Sequence, residues 1–238
     1  MCSLVATCFA EGMEPVYAID ADSHLTAAYY RNTIIHFFVN GAIAEVALLA
    51  AYEAGAGDGS GTFWNAALAL RDLLKFEFFF ADRERFRDEL RAEVALHATD
   101  WEARLLEGAP GAQAVLRAFR PFNAHRVLRP FLEAYQVVGD VLAREPVDAP
   151  LDETAFLVRC LALGKQYRLQ RRIRSGESVS RVLFEAALRL AHNRRLVAPG
   201  APDLAARRRA FADELREVLR RCDAIDVLAA SRRAKLIA

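Results

Sequence analysis

Cysteine is scarce in this chain and badly spaced. Its four residues, Cys2, Cys8, Cys160 and Cys222, form no pair with zinc or redox spacing. A disulfide framework is therefore not expected, and buried or idle thiols in a reducing compartment are. No excess of one charge exists. Lys and Arg total 32 against 31 acidic residues, so net charge gives no case for a nucleic-acid partner. No Gly-rich phosphate loop follows a strand, and no His, Cys or carboxylate cluster has metal-ligand spacing, so neither a metal nor a cofactor is expected. A secretory leader is not visible, because Met1 to Ala10 lacks a basic region and Glu11 follows at once. The strongest candidate for a membrane span, Thr33 to Tyr52, contains His36, Asn40, Gly41 and Glu45. A central Glu is expensive in lipid, so the pattern predicts a buried helix instead.

Alternation of the strand kind is almost missing, and apolar residues recur with a period near 3.6. With 54% hydrophobic and 26% charged residues, the chain has the composition of an ordinary globular protein. A first helix starts near Asp22 or Ser23 and runs to about Glu53, where the glycine-rich stretch 55–61 stops it. A second covers about Phe63 to Phe80. Asp82 caps a third, with Phe86, Leu90, Val94, His97 and Trp101 on one stripe and a break near Ala98. After the turn at 108–111, a helix is interrupted at Pro121 and resumes to Arg144. Asp152 caps the next, which ends at Gly176, and another runs from Ser178 to about Leu196. The last carries Phe211, Leu215, Val218, Cys222 and Ile225 at heptad-like spacing. The expectation is an all-α fold of about seven helices in a bundle-like or orthogonal array, with residues 1–238 forming one helical domain.

Charge is uneven along the chain. Residues 1–119 hold 9 basic and 17 acidic groups, and residues 120–238 hold 23 and 14. This asymmetry can orient a domain on an anionic surface. Lys165, Arg168, Arg171, Arg172 and Arg174 gather at one helix end, and Lys165, Arg168 and Arg172 fall within about 60° of one another at 100° per residue. They read either as a solvated, ion-paired face or as contacts to phosphate or an anionic surface. On the first helix Asn32, His36 and Asn40 stack every four residues along an otherwise apolar segment. With Tyr30 and Arg31, they read either as an internal hydrogen-bond network or as a face presented to another domain. His97, on its apolar stripe, reads as a core histidine. Phe76, Phe78, Phe79 and Phe80 cannot all point one way on a helix; core packing accounts for most of them, and the alternative is an exposed subset that meets a membrane or partner.

Several blocks carry a resemblance. They are Tyr29 to Phe38, Leu73 to Phe80, Arg129 to Tyr135, Leu163 to Gln170, Ser175 to Ser180 and Ala191 to Arg194. In this order, over roughly residues 16–230, they resemble the C-terminal region of the membrane-associated glycerol-3-phosphate acyltransferases. The resemblance implies acyl transfer from acyl-CoA or acyl carrier protein to sn-glycerol 3-phosphate, the first step of phospholipid synthesis. It also implies a catalytic domain ahead of this region, bearing a His with an Asp five positions later. That pair is missing. Five positions after His24, His36, His125 and His192 stand Tyr29, Gly41, Pro130 and Val197. Glu102 follows His97 at that spacing, but an i,i+5 pair on a helix points about 140° apart.

No catalytic residue is therefore assigned. The expected role is a C-terminal fragment or split domain of glycerol-3-phosphate 1-O-acyltransferase that supports or docks the catalytic domain. The alternative is a free-standing, non-enzymatic helical interaction or membrane-surface module. Tyr30, Arg31, Asn32 and His36 are the interdomain or substrate-proximal candidates. Lys165, Arg168, Arg171 and Arg172 are the phosphate or anionic-surface candidates. The expected partners are an acyltransferase domain, from the same gene or a split one, and an anionic membrane surface. The expected location is peripheral, on the cytoplasmic face of the cell membrane, and otherwise the cytoplasm.

Overall fold

The computed structural model describes residues 6–8, 16–18 and 33–234 and divides into two compact units, Met1–Phe38 and Val39–Ala238. In the first unit β1 (Ala6–Cys8) pairs antiparallel with β2 (Val16–Ala18), with Thr7 opposite Tyr17. Strands of three residues leave no readable alternation, so sequence periodicity passes over them.

The other regular elements among the described residues are helical. The elements are α1 (His36–Glu53), α2 (Gly59–Leu74), α3 (Arg83–Ala95), α4 (Trp101–Leu105), α5 (Ala109–Ala118), α6 (Ala124–Val127), α7 (Arg129–Leu142), α8 (Glu153–Leu169), α9 (Arg181–Asn193) and α10 (Leu204–Arg233). A short 3-10 turn, Gly176–Ser178, precedes α9. The all-α expectation holds, and the count exceeds seven mainly because α4 and α6 are very short.

Local chemistry sets many of the ends. Asp82 accepts hydrogen bonds from the backbone N–H of Glu84 and Arg85, and Asp152 from that of Ala155, each supplying an acceptor to an open helix start. Asp58 does the same for Gly61 N–H. Helix α2 therefore begins inside the glycine-rich stretch rather than at Phe63. It ends at Leu74, where residues 76–80 leave the helix: Phe78 packs edge-on against Phe131 and Phe80 against Phe86, while Phe79 is fully exposed. Helix α8 stops at Leu169 rather than Gly176, because Arg171 adopts a left-handed backbone (φ 57°). The N–H groups of Arg172 and Ile173 then donate back to the Tyr167 carbonyl.

The core of the larger unit is built around α7. Every one of its 14 residues is buried, and it packs against α6, α8, α9, α10 and the 3-10 turn. A Cβ at Gly139 would lie 3.3 Å from Ala212 Cα, so glycine there lets α7 and α10 approach closely. On α10, Phe211, Leu215, Val218, Cys222 and Ile225 are all buried, as their spacing implies. Arg208 is buried too, although no carboxylate among the described residues pairs with it. Its guanidinium instead donates to the carbonyls of Leu196, Glu145 and Pro146, joining two loops to α10. Helix α1 is buried from Val39 to Ala51 apart from Asn40 and Gly41, but Ile34, His36, Phe37 and Phe38 at its start are exposed. Among the described residues, no helix is long and apolar enough to cross a membrane.

Candidate functional site

A polar ridge runs along the buried helix α7. Arg129, Glu133, Gln136 and Asp140 follow one another at steps of four, three and four, so they share one face. All four are buried. Buried charges need partners, and the surrounding elements supply them. Arg129 donates to the His125 carbonyl (3.1 Å) and to Asp223 Oδ1 (2.7 Å), with Glu133 at 3.9 Å. The Glu133 carboxylate accepts from the backbone N–H groups of Arg174 (2.9 Å) and Ser175 (3.1 Å) and from Ser178 Oγ (2.8 Å). Asp140 accepts from Tyr167 Oη and from Arg216 Nη2, both at 2.8 Å, with Arg172 at 3.9 Å. Burial and the bond to Asp140 push the Tyr167 phenol up, and the same carboxylate raises Arg216.

Three of the resembling sequence blocks meet here. Arg129 to Tyr135 supplies Arg129 and Glu133 of the ridge, Leu163 to Gln170 supplies Tyr167, and Ser175 to Ser180 supplies the turn that caps it. Glu133 thus ties the loop after α8 to the centre of the core. Gln136 is different, because neither its Oε1 nor its Nε2 has a hydrogen-bond partner among the described residues. It lines a cleft of about 220 Å³ together with Glu133, Tyr167, Arg172, Arg216 and Asp223.

Two further carboxylates, Glu45 buried and Glu77 half-buried, lie away from the ridge. Glu45 accepts from the N–H groups of Asn123 and Ala124, and desolvation raises its pKa to about 8. Glu77 accepts from Tyr135 Oη at 3.1 Å and is raised by burial to about 7. The buried thiols of Cys160 and Cys222 are pushed up to about 12, which keeps them protonated and inert.

None of these groups forms a base-and-nucleophile pair. His97 stacks on Phe119 with ring centroids 4.1 Å apart. His125 lies 3.5 Å from Asp226, with its pKa lowered by burial, and His192 contacts Glu153 at 2.8 Å. No hydroxyl or thiol contact to any of these imidazoles is recorded among the described residues, and no group of three or more metal-type ligands occurs there.

The residues singled out from the sequence fall in three places. Tyr30, Arg31 and Asn32 lie outside the described residues. His36 is exposed beside Phe37, ring centroids 4.0 Å apart, and Phe37 itself is 70% exposed. At the end of α8, Arg172 reaches the cleft and covers the Tyr167 ring at 3.7 Å. Lys165, Arg168 and Arg171 instead stay on the outside, exposed. The ridge itself escaped sequence reasoning, although its 4-3-4 spacing within an apolar helix was readable.

Comparison with known proteins gives the setting. Residues 2–200 match the family described as the glycerol-3-phosphate acyltransferase C-terminal region. The chain is 46% identical over 229 residues to the "Putative acyltransferase plsB1" of Mycobacterium bovis, which covers 94% of this chain and 37% of that protein. Proteins of the same name from two strains of Mycobacterium tuberculosis match to the same extent. The chain therefore spans 37% of the length of these curated relatives. No solved structure matches it.

Proposed function

The chain belongs to the glycerol-3-phosphate acyltransferase family, as its C-terminal region, and on that premise we propose that it braces and completes an acyltransferase catalytic domain. The whole enzyme would move an acyl group from acyl-CoA or acyl carrier protein to sn-glycerol 3-phosphate. This region would contribute rigidity and a docking face, with residues 1–238 acting as one C-terminal domain. The observation that carries the reading is the ridge on α7. Residues of three resembling blocks are spent on hydrogen bonds, ion pairs and loop caps inside the core, which is the work of a scaffold.

General acid–base chemistry needs a base within reach of a reacting group. The His-and-Asp spacing of the catalytic domain is missing from the sequence, and the described histidines contact rings or carboxylates. The docking face is assigned to Tyr30, Arg31, Asn32 and His36 with the exposed Ile34, Phe37 and Phe38 beside them. Exposed aromatic and aliphatic side chains next to polar ones are the composition of an interdomain contact. The enzyme would sit peripherally on the cytoplasmic face of the membrane. The test is acylation of glycerol 3-phosphate with palmitoyl-CoA by the chain alone and by the chain produced together with the remainder of a relative. Turnover is expected only from the pair. Turnover by this chain alone, lost on mutation within it, would overturn the reading.

A further inference from the structure

The segment from Phe156 to Gly176 contains six cations and no acidic residue. In the structure these cations separate. Arg159 pairs with Glu145, Arg172 reaches Asp140, and Arg174 binds Asp223 and Asp226. Lys165, Arg168 and Arg171 are exposed, and no carboxylate among the described residues lies within ion-pair distance of them. Among them stands Leu169, 87% exposed. At 100° per residue, Val158, Ala162, Lys165 and Leu169 fall within about 60° of one another along α8. Val158 is 61% exposed and Ala162 is exposed as well. The outward face of α8 is thus a short, mainly apolar line whose C-terminal end is ringed by cations with no carboxylate partner among the described residues.

Two details position this ring. The Arg168 guanidinium lies 3.1–3.3 Å from where a Cβ on Gly176 would stand, so the glycine gives it a seat. Arg171 occupies the left-handed position that ends α8, a place where glycine is favoured. An arginine there projects a charge beyond the helix end at the expense of backbone comfort.

We infer that this end of α8 is a docking surface for an anionic bilayer, with Leu169 entering the headgroup region and Lys165, Arg168 and Arg171 contacting lipid phosphates. The inference rests on the reading that the chain works at a membrane face, and it names the surface that meets the membrane. Charge complementarity selects the occupant. Exposed cations around an apolar tooth match a layer with phosphates outside and hydrocarbon beneath. A free phosphate would use the cations and ignore Leu169.

The test is co-sedimentation of the full chain with vesicles of phosphatidylglycerol and phosphatidylcholine, compared with phosphatidylcholine alone. Binding to the anionic vesicles only is expected, and loss of it near 0.5 M salt, where screening is nearly complete at ~4 Å. Leu169→Ser should weaken binding about ten-fold without changing the melting temperature, since the side chain is exposed. Arg171→Gly should raise the melting temperature by about 2–4 °C and still weaken binding about five-fold. Arg195 also has a left-handed backbone (φ 55°), at the end of α9. Arg195→Gly should therefore stabilise equally and leave binding unchanged. Equal binding to both vesicles, no binding at low salt, or unaltered binding by Leu169→Ser and Arg171→Gly would overturn the assignment. So would complete competition by inorganic phosphate at matched ionic strength. Activity of the reconstituted enzyme in detergent is independent of this surface, so failure of the bilayer contact and failure of the bracing role are read separately.

Discussion

The ridge of α7 and the outward end of α8 hold the same kinds of residue in opposite states. On α7, Arg129, Glu133 and Asp140 are buried, and each has a charged or backbone partner. On α8, Lys165, Arg168 and Arg171 are exposed, and no carboxylate among the described residues pairs with them. One stretch of sequence, 163–180, feeds both regions. Its Tyr167, Ser175 and Ser178 turn inward to the ridge, and its cations turn outward. Burial in low dielectric compels pairing, and pairing removes a charge from further use. The inner region can therefore fix the fold, and only the outer one has charge left for a partner.

The sharpest way to break this comparison is to remove the acceptor that joins the two regions. Glu133→Ala leaves two backbone N–H groups, Ser178 Oγ and part of the Arg129 charge without a partner. A loss of about 3–5 kcal/mol is expected, the range for breaking a buried charged contact. Urea unfolding measures it, and a loss below 1 kcal/mol would reduce the ridge to ordinary packing.

Glu45 extends the comparison to a second buried carboxylate. It has backbone donors as Glu133 does, but no ion-pair partner among the described residues. Its folded pKa of about 8 lies above the ordinary 4.5, and Glu77 is raised to about 7. Between these limits the folded state holds protons that the unfolded state has released. With respect to these groups, stability should therefore be greatest at and below about pH 4.5 and fall as pH rises through about 7 to 8. The expected fall is several kcal/mol, since raising one carboxyl from 4.5 to about 8 and the other to about 7 is worth about 1.4 kcal/mol for each pH unit. Denaturant titrations at pH 5, 6, 7 and 8 measure the slope. Glu45→Gln should flatten it, and an unchanged slope would assign the effect elsewhere.

The smallest effect concerns Gln136, the one ridge residue whose side chain has no hydrogen-bond partner among the described residues. Gln136→Leu removes a buried amide that bonds to nothing, so it should stabilise the chain by about 1 kcal/mol. A loss of stability would mean that the amide is bound after all, for example by water in the adjoining cleft.

Much of the fold is legible in the sequence because helices announce themselves locally. The caps at Asp82 and Asp152 and the buried stripe from Phe211 to Ile225 depend only on neighbours within a few turns. Boundaries fail where a single backbone choice decides. Asp58 starts α2 within a glycine-rich stretch, and Arg171 ends α8 early by taking a conformation usually left to glycine.

The site was harder to read, for a related reason. The same pattern, polar residues at helical spacing within an apolar segment, occurs at Asn32, His36 and Asn40 and again along α7. In the structure His36 is exposed and Asn40 half-buried, whereas Glu133, Gln136 and Asp140 are enclosed. Spacing says that such residues share a face. Tertiary packing alone says whether that face meets solvent, another domain or the core.

Reconstitution tests the bracing role most directly. The chain is produced alone, the remainder of the Mycobacterium tuberculosis relative is produced alone, and the two are produced together. Acylation of glycerol 3-phosphate by palmitoyl-CoA is then followed in detergent. Background rates are expected from each piece and turnover from the pair, falling when His36→Ala is introduced together with Phe37→Ser at the exposed start of α1. Full activity of the remainder without this chain would contradict the bracing role, and so would turnover by this chain on its own.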